Sequence, residues 1–335
     1  MNVLLDIHHH DLFRSLYILF KKRFGFNVYI PTGLDWNTYF NYAPYPQIDT
    51  VKQYLVGIES WINIGNDVPD VKFLTLDEYK DIKIDISVAS LLENNLVFFE
   101  LNKKFDKKTK HITQVGNNFP VNLIDHIGKN LLSSSSVVYE LSNIKHKIFY
   151  HQEFDLECFY PEIPKNAQTI YSFQHYFGSG CQPFTEDYRL FNQLKNEMMT
   201  YSFKCYGQSG DGGNITNIPD QFSKIMRNCG FVFHTKPTGD GYGHIYHNAY
   251  ACGKPVIYKS KYLKYNQFNM TPMMLFSEET SIDLSKLTIN QCIHKIIEMT
   301  NSYSYTSEKV SNRFKEVVNF ENEFQNINKF ITNLV

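Results

Sequence analysis

The opening 31 residues alternate strand, helix and strand, an order that restricts the architectures open to the chain. Val3 to Ile7 is a short apolar run. Asp11 can cap a helix whose apolar positions Leu12, Leu16, Leu19 and Phe20 recur at helical spacing. Gly25 ends that helix, and Asn27 to Ile30 reads as a second strand before Pro31. Two strands joined through a helix run parallel, and a parallel sheet needs helices on its faces.

The alternation continues. Ile84 to Val88, Leu96 to Phe99, Lys110 to Val115 and Lys147 to Tyr150 read as strands, with a helix over Pro120 to Leu132 and a loop at Ser133 to Ser136. Residues 37–75 carry Tyr and Pro clusters and read as an insertion covering a cleft. Pro161-Glu-Ile-Pro164 is a stiff connector. Beyond it the pattern starts again: strand Thr169 to Phe173, helix Thr185 to Met199, strand Ser202 to Tyr206, and a glycine-rich loop from Gly207 to Gly213. A helix from Pro219, a strand Gly230 to His234, a helix His244 to Cys252 and a strand Pro255 to Tyr258 follow, then three helices to the end. A chain of 335 residues exceeds one ordinary core. The expected domains are residues 1–160 and 161–335.

Composition narrows the function classes. A net charge of -1 gives no global pull toward nucleic acid or anionic membrane. The six cysteines, at 158, 181, 205, 229, 252 and 292, form no C-x-x-C pair, so no zinc or redox signature is present, and they fit reduced, mostly buried thiols. The start of the chain has no signal-peptide pattern, and no apolar run is long enough to span a membrane. A soluble, cytoplasmic protein is expected. The 27 Phe and 23 Tyr read first as core packing rather than as platforms for sugar rings.

The segment with chemical content is Lys236-Pro-Thr-Gly-Asp-Gly-Tyr-Gly-His244, a glycine-rich turn between a strand and a helix. Free N–H groups and the helix dipole at such a start attract phosphate. Gly239, Gly241 and Gly243 let the backbone approach a ligand. Lys236 adds a point charge for a diphosphate, and His244 and Asn248, four apart, share one helix face. By its glycines alone the turn reads equally well as a structural strand-to-helix connection. Asp240, Gly241-Tyr-Gly243, Asn248 and Ala251-Cys-Gly-Lys-Pro-Val-Ile257 keep a fuller register without a gap.

That register resembles the donor-binding signature of GT-B-fold glycosyltransferases of the group 1, family 4 type: an acid, Gly-aromatic-Gly, a second acid eight positions after the first, and Ala-Cys-Gly-Lys-Pro-Val. The similarity covers about residues 165 to 335. It implies an α/β GT-B architecture: two Rossmann-like domains facing across a cleft, an acceptor-side one first and a nucleotide-sugar-binding one second, with the C-terminal helix packing back on the first. It implies donor contacts from Gly207, Lys236, Gly241, Tyr242, Gly243, His244 and Asn248, with Asp240 beside the donor sugar. This chain has Asp where the family has the first Glu, and a neutral Asn248 at the second acidic position. No D-x-D metal motif occurs. The implied activity is metal-independent transfer of a hexosyl or pentosyl group from a nucleoside diphosphate sugar, a substrate rather than a cofactor, to an acceptor hydroxyl, with a lean toward retention.

His8, His9 and His10 follow the first strand, on a carboxyl-end loop where ligands bind in open α/β sheets. They are candidates for catalytic proton transfer, against a surface cluster or helix-capping loop. Arg14 is expected in solvent or in a salt bridge, His247 in a core, and Lys254 at the surface. Two other functions stay open. One is a sugar-nucleotide epimerase on the same fold. The other is a glycan- or partner-binding module that has lost turnover, which Asn248 favours. The acceptor, whether glycan, protein, small molecule or, less favoured by the charge balance, modified DNA, is not encoded in any motif.

Overall fold

In a computed structural model, the structure describes residues 1–6, 10–31, 36, 70–90, 92–117, 121–216 and 218–334. The chain forms two compact units, Met1–Phe154 with Phe320–Val335, and Asp155–Asn319.

The first unit is built on a seven-stranded sheet in which every pairing is parallel. Its strands are β1 (Asn2–Leu5), β2 (Asn27–Pro31), β3 (Val71–Leu74), β4 (Ile86–Ala89), β5 (Lys110–Val115), β6 (Asn130–Ser133) and β7 (His146–Phe149), in the order β3-β2-β1-β4-β5-β6-β7. Helices α1 (His10–Tyr17), α2 (Leu76–Asp81), α3 (Leu92–Lys104), α4 (Val121–Ile127) and α5 (Ser136–Leu141) join them. Helix α1 buries Leu12, Phe13, Leu16 and Tyr17. It runs on as a π-helical segment, Ile18–Arg23, and stops at Gly25. Helix α2 starts from a capping box in which Glu78 N–H donates to Thr75 Oγ1 while Glu78 Oε2 accepts from Thr75 N–H.

Strand order reverses between β1 and β4, the kind of switch point where open α/β sheets hold ligands. Buried Asp6 ties that point together. It accepts from Ser90 N–H and from Asn94 Nδ2, each at 2.9 Å, fastening the end of β1 to the loop after β4.

The second unit carries a five-stranded sheet, again with every pairing parallel. Its strands are β8 (Thr169–Phe173), β9 (Ser202–Tyr206), β10 (Phe231–Phe233), β11 (Val256–Tyr258) and β14 (Ser281–Asp283), in the order β14-β11-β10-β8-β9. A small antiparallel hairpin, β12 (Lys264–Tyr265) and β13 (Phe268–Asn269), follows β11. Helices α6 (Thr185–Glu197), α7 (Pro219–Arg227), α8 (His244–Ala251), α9 (Ile289–Asn301) and α10 (Tyr303–Val317) complete it. Ile170, Phe231, Phe233, Ile257 and Ile282 form the sheet side of its core, against Phe191, Leu194, Cys292 and Ile296. Here the order reverses between β8 and β10.

Helix α11 (Phe320–Thr332) returns to the first unit, as the resemblance implied, so the second unit stops at Asn319 rather than at residue 335. The reason is apolar burial. Ile327, Phe330 and Ile331 belong to the first unit's core, Phe330 stacks on His146 at 4.4 Å, and Phe324 packs on Phe24. Polar ties fix the register. Arg23 bonds both Glu153 and Glu321 at 2.7 Å, and Glu323 accepts from His151 N–H at 2.7 Å.

Three local expectations need correction. Leu96 to Phe99 lies inside helix α3, not in a strand. The helix expected over Pro120 to Leu132 ends at Ile127, because Asn130 onward pairs with β5 and β7 as β6. The Ser133–Ser136 run is a strand end and helix start, with Ser135 Oγ capping α5. The insertion expected over residues 37–75 lies outside the described residues as far as 69, and its end forms β3.

Because α11 completes the first unit's core, Ile331→Ala is expected to cost about 2–5 kcal/mol. Trp36 and Trp61 are the chain's two tryptophans, and both fall in the first unit. Denaturant unfolding followed by tryptophan fluorescence should therefore move to lower denaturant, while tyrosine signals from the second unit stay in place.

Candidate functional site

The loop leaving β10 supplies most of the site. His234 continues from the strand, its N–H donating to Ile257 O at 2.9 Å. The chain then turns at Lys236–Gly239, with Gly239 N–H donating to Lys236 O at 2.8 Å, and reaches Asp240. Gly241 O accepts from Thr271 N–H, which anchors the turn to the segment after the hairpin.

Gly243 is the N-cap of α8, with φ of 74°. It brings no side chain to the first-turn N–H groups. A Cβ there would come within 2.6 Å of the Tyr246 ring and 2.7 Å of Pro272. Its carbonyl accepts from Tyr246 N–H, His247 N–H and His247 Nδ1. His247 is buried, as expected, and stacks on Tyr242 at 4.2 Å. Tyr242 is itself buried, so its ring stiffens the turn from below. His244 is half-buried on the first turn of α8.

Asp240 is the electrostatic centre. Its Oδ1 lies 3.2 Å from Lys236 Nζ, and its Oδ2 lies 3.4 Å from His234 Nε2. Burial alone would push this carboxyl up. The Lys236 charge and the His234 imidazole outweigh burial and hold it well below the ordinary carboxylate range. His234 is lowered too, in its case by burial, against the pull of Asp240. Asp240 therefore carries its charge throughout the neutral range beside a partly exposed lysine.

Several buried polar atoms near this loop have no hydrogen-bond partner among the described residues. They are His234 Nδ1, Thr235 Oγ1, Asn248 Oδ1 and, at the end of β8, Gln174 Oε1. Buried polar atoms are nearly always hydrogen-bonded, to protein or to water, so each of these four can take a water or a ligand atom. His234, Thr235 and Gln174 follow directly on β8 and β10, at the second unit's switch point, and Asn248 lies one turn into α8.

The predicted residues fall into three groups. Lys236, Asp240, Gly241, Tyr242, Gly243, His244 and Asn248 come together on the β10–α8 connection. Gly207 stands apart, after β9. Its φ is 127°, and a Cβ would meet Gln174 O at 2.6 Å, so the glycine loop is laid against the loop after β8. His8 and His9 lie outside the described residues, and His10 opens α1 in the first unit. Arg14 is buried and paired with Asp11 at 3.2 Å. Lys254, expected at the surface, is fully buried and donates to Glu162 O at 2.6 Å. The turn made by Gly253, with φ of 69°, carries the chain inward there. Sequence reasoning passed over His234 and the buried pair of Lys259 with Asp187. Neither sits in a motif, and only strand register at the carboxyl edge could have drawn attention to them.

No protein-family model matches the sequence, and no curated protein matches it. Solved structures do match in fold. HepE from Anabaena, in complex with UDP, superposes with a TM-score of 0.63 at 12% identity over 99% of this chain and 100% of that one. A glycosyltransferase from Rickettsia africae gives a TM-score of 0.64 at 10% identity, covering 99% and 98%. The lipopolysaccharide outer core galactosyltransferase WaaB, in its apo form, gives 0.59 at 10% identity over the whole of both chains. The chain has the GT-B fold of these glycosyltransferases.

Two outcomes follow from this geometry. Gly243→Ala should cost about 1–3 kcal/mol, because alanine at positive φ is strained and meets Tyr246 and Pro272. Tyrosine near-UV circular dichroism during denaturation would report it. Asp240 has a depressed folded pKa, so its contribution is complete above the ordinary carboxylate value of 3.8 and is lost as pH falls through the folded value. The stability gap between wild type and Asp240→Asn should stay constant on acidification and narrow only below about pH 4.

Proposed function

We propose that this chain is a glycosyltransferase that moves a hexosyl or pentosyl group from a nucleoside diphosphate sugar to an acceptor hydroxyl. The observation carrying it is the uncapped glycine start of α8, at the switch point of its sheet, beside the Lys236–Asp240 pair. The fold neighbours lend support, since HepE is described in complexes with UDP and with UDP-glucose.

In this mechanism the bond between the sugar's anomeric carbon and the diphosphate oxygen breaks, and the diphosphate leaves with the electron pair. The acceptor oxygen forms the new bond, and its proton passes to the departing diphosphate oxygen with retention, or to one of His8, His9 and His10 with inversion. First-turn N–H groups of α8 and the Lys236 ammonium, turned from Asp240 toward the ligand, offset the leaving charge. The reaction in this reading is metal-independent. Asp240 sits beside the donor sugar and accepts from its hydroxyls. In this reading Asn248 Oδ1, buried and without a partner among the described residues, accepts from a ribose hydroxyl as a neutral amide. Retention is the favoured outcome. His8, His9 and His10 remain candidates for proton transfer to or from the acceptor.

A panel of UDP-, GDP- and other nucleotide-sugars should reveal at least one donor that is hydrolysed and that raises the melting temperature. Absence of both effects across the panel would overturn the assignment. Lys236→Ala should weaken binding of the matching nucleoside diphosphate by about tenfold, the scale of one charge-assisted contact. The measurement is titration calorimetry, and unchanged affinity would remove Lys236 from the site.

A further inference from the structure

His234 is absent from every motif discussed above, yet it is the residue on which the Asp240 carboxylate rests. It is buried to 3% exposure at the carboxyl end of β10. Three contacts fix it. Its N–H donates to Ile257 O at 2.9 Å, its carbonyl accepts from Tyr246 Oη at 3.0 Å, and the Tyr246 ring meets its imidazole edge-on at 4.6 Å. Tyr246 is itself buried, against the Gly243 turn. The imidazole therefore has little freedom, and its Nε2 lies 3.4 Å from Asp240 Oδ2.

The charged and titratable groups facing this ring are Asp240, Lys236 and Tyr246. A neutral imidazole has one N–H. Placed on Nδ1, that proton would be a buried donor with no acceptor among the described residues, and the Nε2 lone pair would face a carboxylate oxygen. Placed on Nε2, it is given to Asp240. The surroundings select the second tautomer. The two carboxylate oxygens then differ: Oδ2 is held from inside by a buried ring, while Oδ1 faces Lys236, whose side chain is 39% exposed.

We propose that His234 is a positioning residue for the transfer reaction: its Nε2–H anchors Asp240 Oδ2 so that Oδ1 is presented, at a fixed angle, to the donor sugar. This rests on the reading of Asp240 as the acid beside the donor. His234 touches no substrate in this scheme and acts through Asp240.

The test compares His234→Gln, His234→Asn and His234→Ala in the full chain. The Gln amide nitrogen reaches the place of Nε2, whereas the Asn nitrogen reaches only that of Nδ1. Donor-sugar hydrolysis should fall by about 10²-fold in the Ala and Asn variants, the scale of a misplaced reacting group, and recover to within a few-fold in Gln. Nucleoside diphosphate affinity should stay within about twofold in all three, since the diphosphate is held by the α8 start and Lys236. Equal loss in the three variants, or loss of nucleotide affinity in step with melting temperature, would reduce His234 to a structural residue. In parallel, nitrogen-15 NMR of histidine-labelled wild type, assigned with the Gln variant, should show His234 as the Nε2–H tautomer. Its resonance should shift on Asp240→Asn. An Nδ1–H tautomer would overturn the proposal whether or not any donor is turned over. A wild type that binds and hydrolyses no nucleotide-sugar would instead sink the transferase assignment and leave the NMR result to decide the Asp240–His234 link.

Discussion

Parallel strands place all their carboxyl ends on one edge of a sheet, and each must be followed by a loop that carries the chain away over a face. In both units every pairing of the main sheet is parallel, so each has one edge rich in loops and helix starts. Where strand order reverses, neighbouring loops part to opposite faces and leave a crevice between them. The first unit marks that place with the Asp6–Ser90 tie. The second marks it with the connection from β10 to α8 and a group of polar atoms that have no hydrogen-bond partner among the described residues.

What this connection adds is a charge arranged against the tendency of its surroundings. A buried carboxylate is costly unless paired and hydrogen-bonded. Asp240 meets both conditions, with an ammonium on one oxygen and an imidazole on the other. The two partners are unlike. His234 is fixed in the core, while Lys236 reaches solvent and can turn. A site held firmly on one side and loosely on the other suits a ligand that must displace one contact without unsettling the rest. Asn248, where the donor-binding signature that this stretch resembles has an acid, leaves one negative charge fewer on the helix that follows the turn. A diphosphate would meet less repulsion there.

The βαβ opening, the second alternation and four of the five strands in the second unit's main sheet were legible from apolar runs bounded by Gly and Pro; β14 and the small hairpin were not. Buried parallel strands carry that signature plainly. The glycine turn and its register were legible too, because backbone demands at a strand-to-helix turn are written in residue type. Helix α3 was not. Leu96, Val97, Phe98 and Phe99 form a compact apolar run, but Leu96 and Phe99 are half exposed and Phe98 alone is deeply buried. The period of burial was therefore hidden by apolar residues on the outer face. Helix α2 was missed although Thr75 and Glu78 form a capping box, because no apolar run announces so short a helix. Lys254 was misplaced because a lysine buried to meet one backbone carbonyl looks like any surface lysine in sequence. His234 could not be found at all, since its importance comes from where β10 ends and not from its neighbours in the chain.

The return of helix α11 to the first unit bears on the order in which a nascent chain can fold. Domains usually form from the N-terminus during synthesis. Here the second unit is a single uninterrupted stretch, whereas the first needs both Met1–Phe154 and the segment from Phe320 onward. Phe24, Phe20 and their neighbours cannot gain their partners on α11 until that last stretch leaves the ribosome. The unit made first is thus finished last, and its apolar face toward α11 stays uncovered throughout the translation of the second unit.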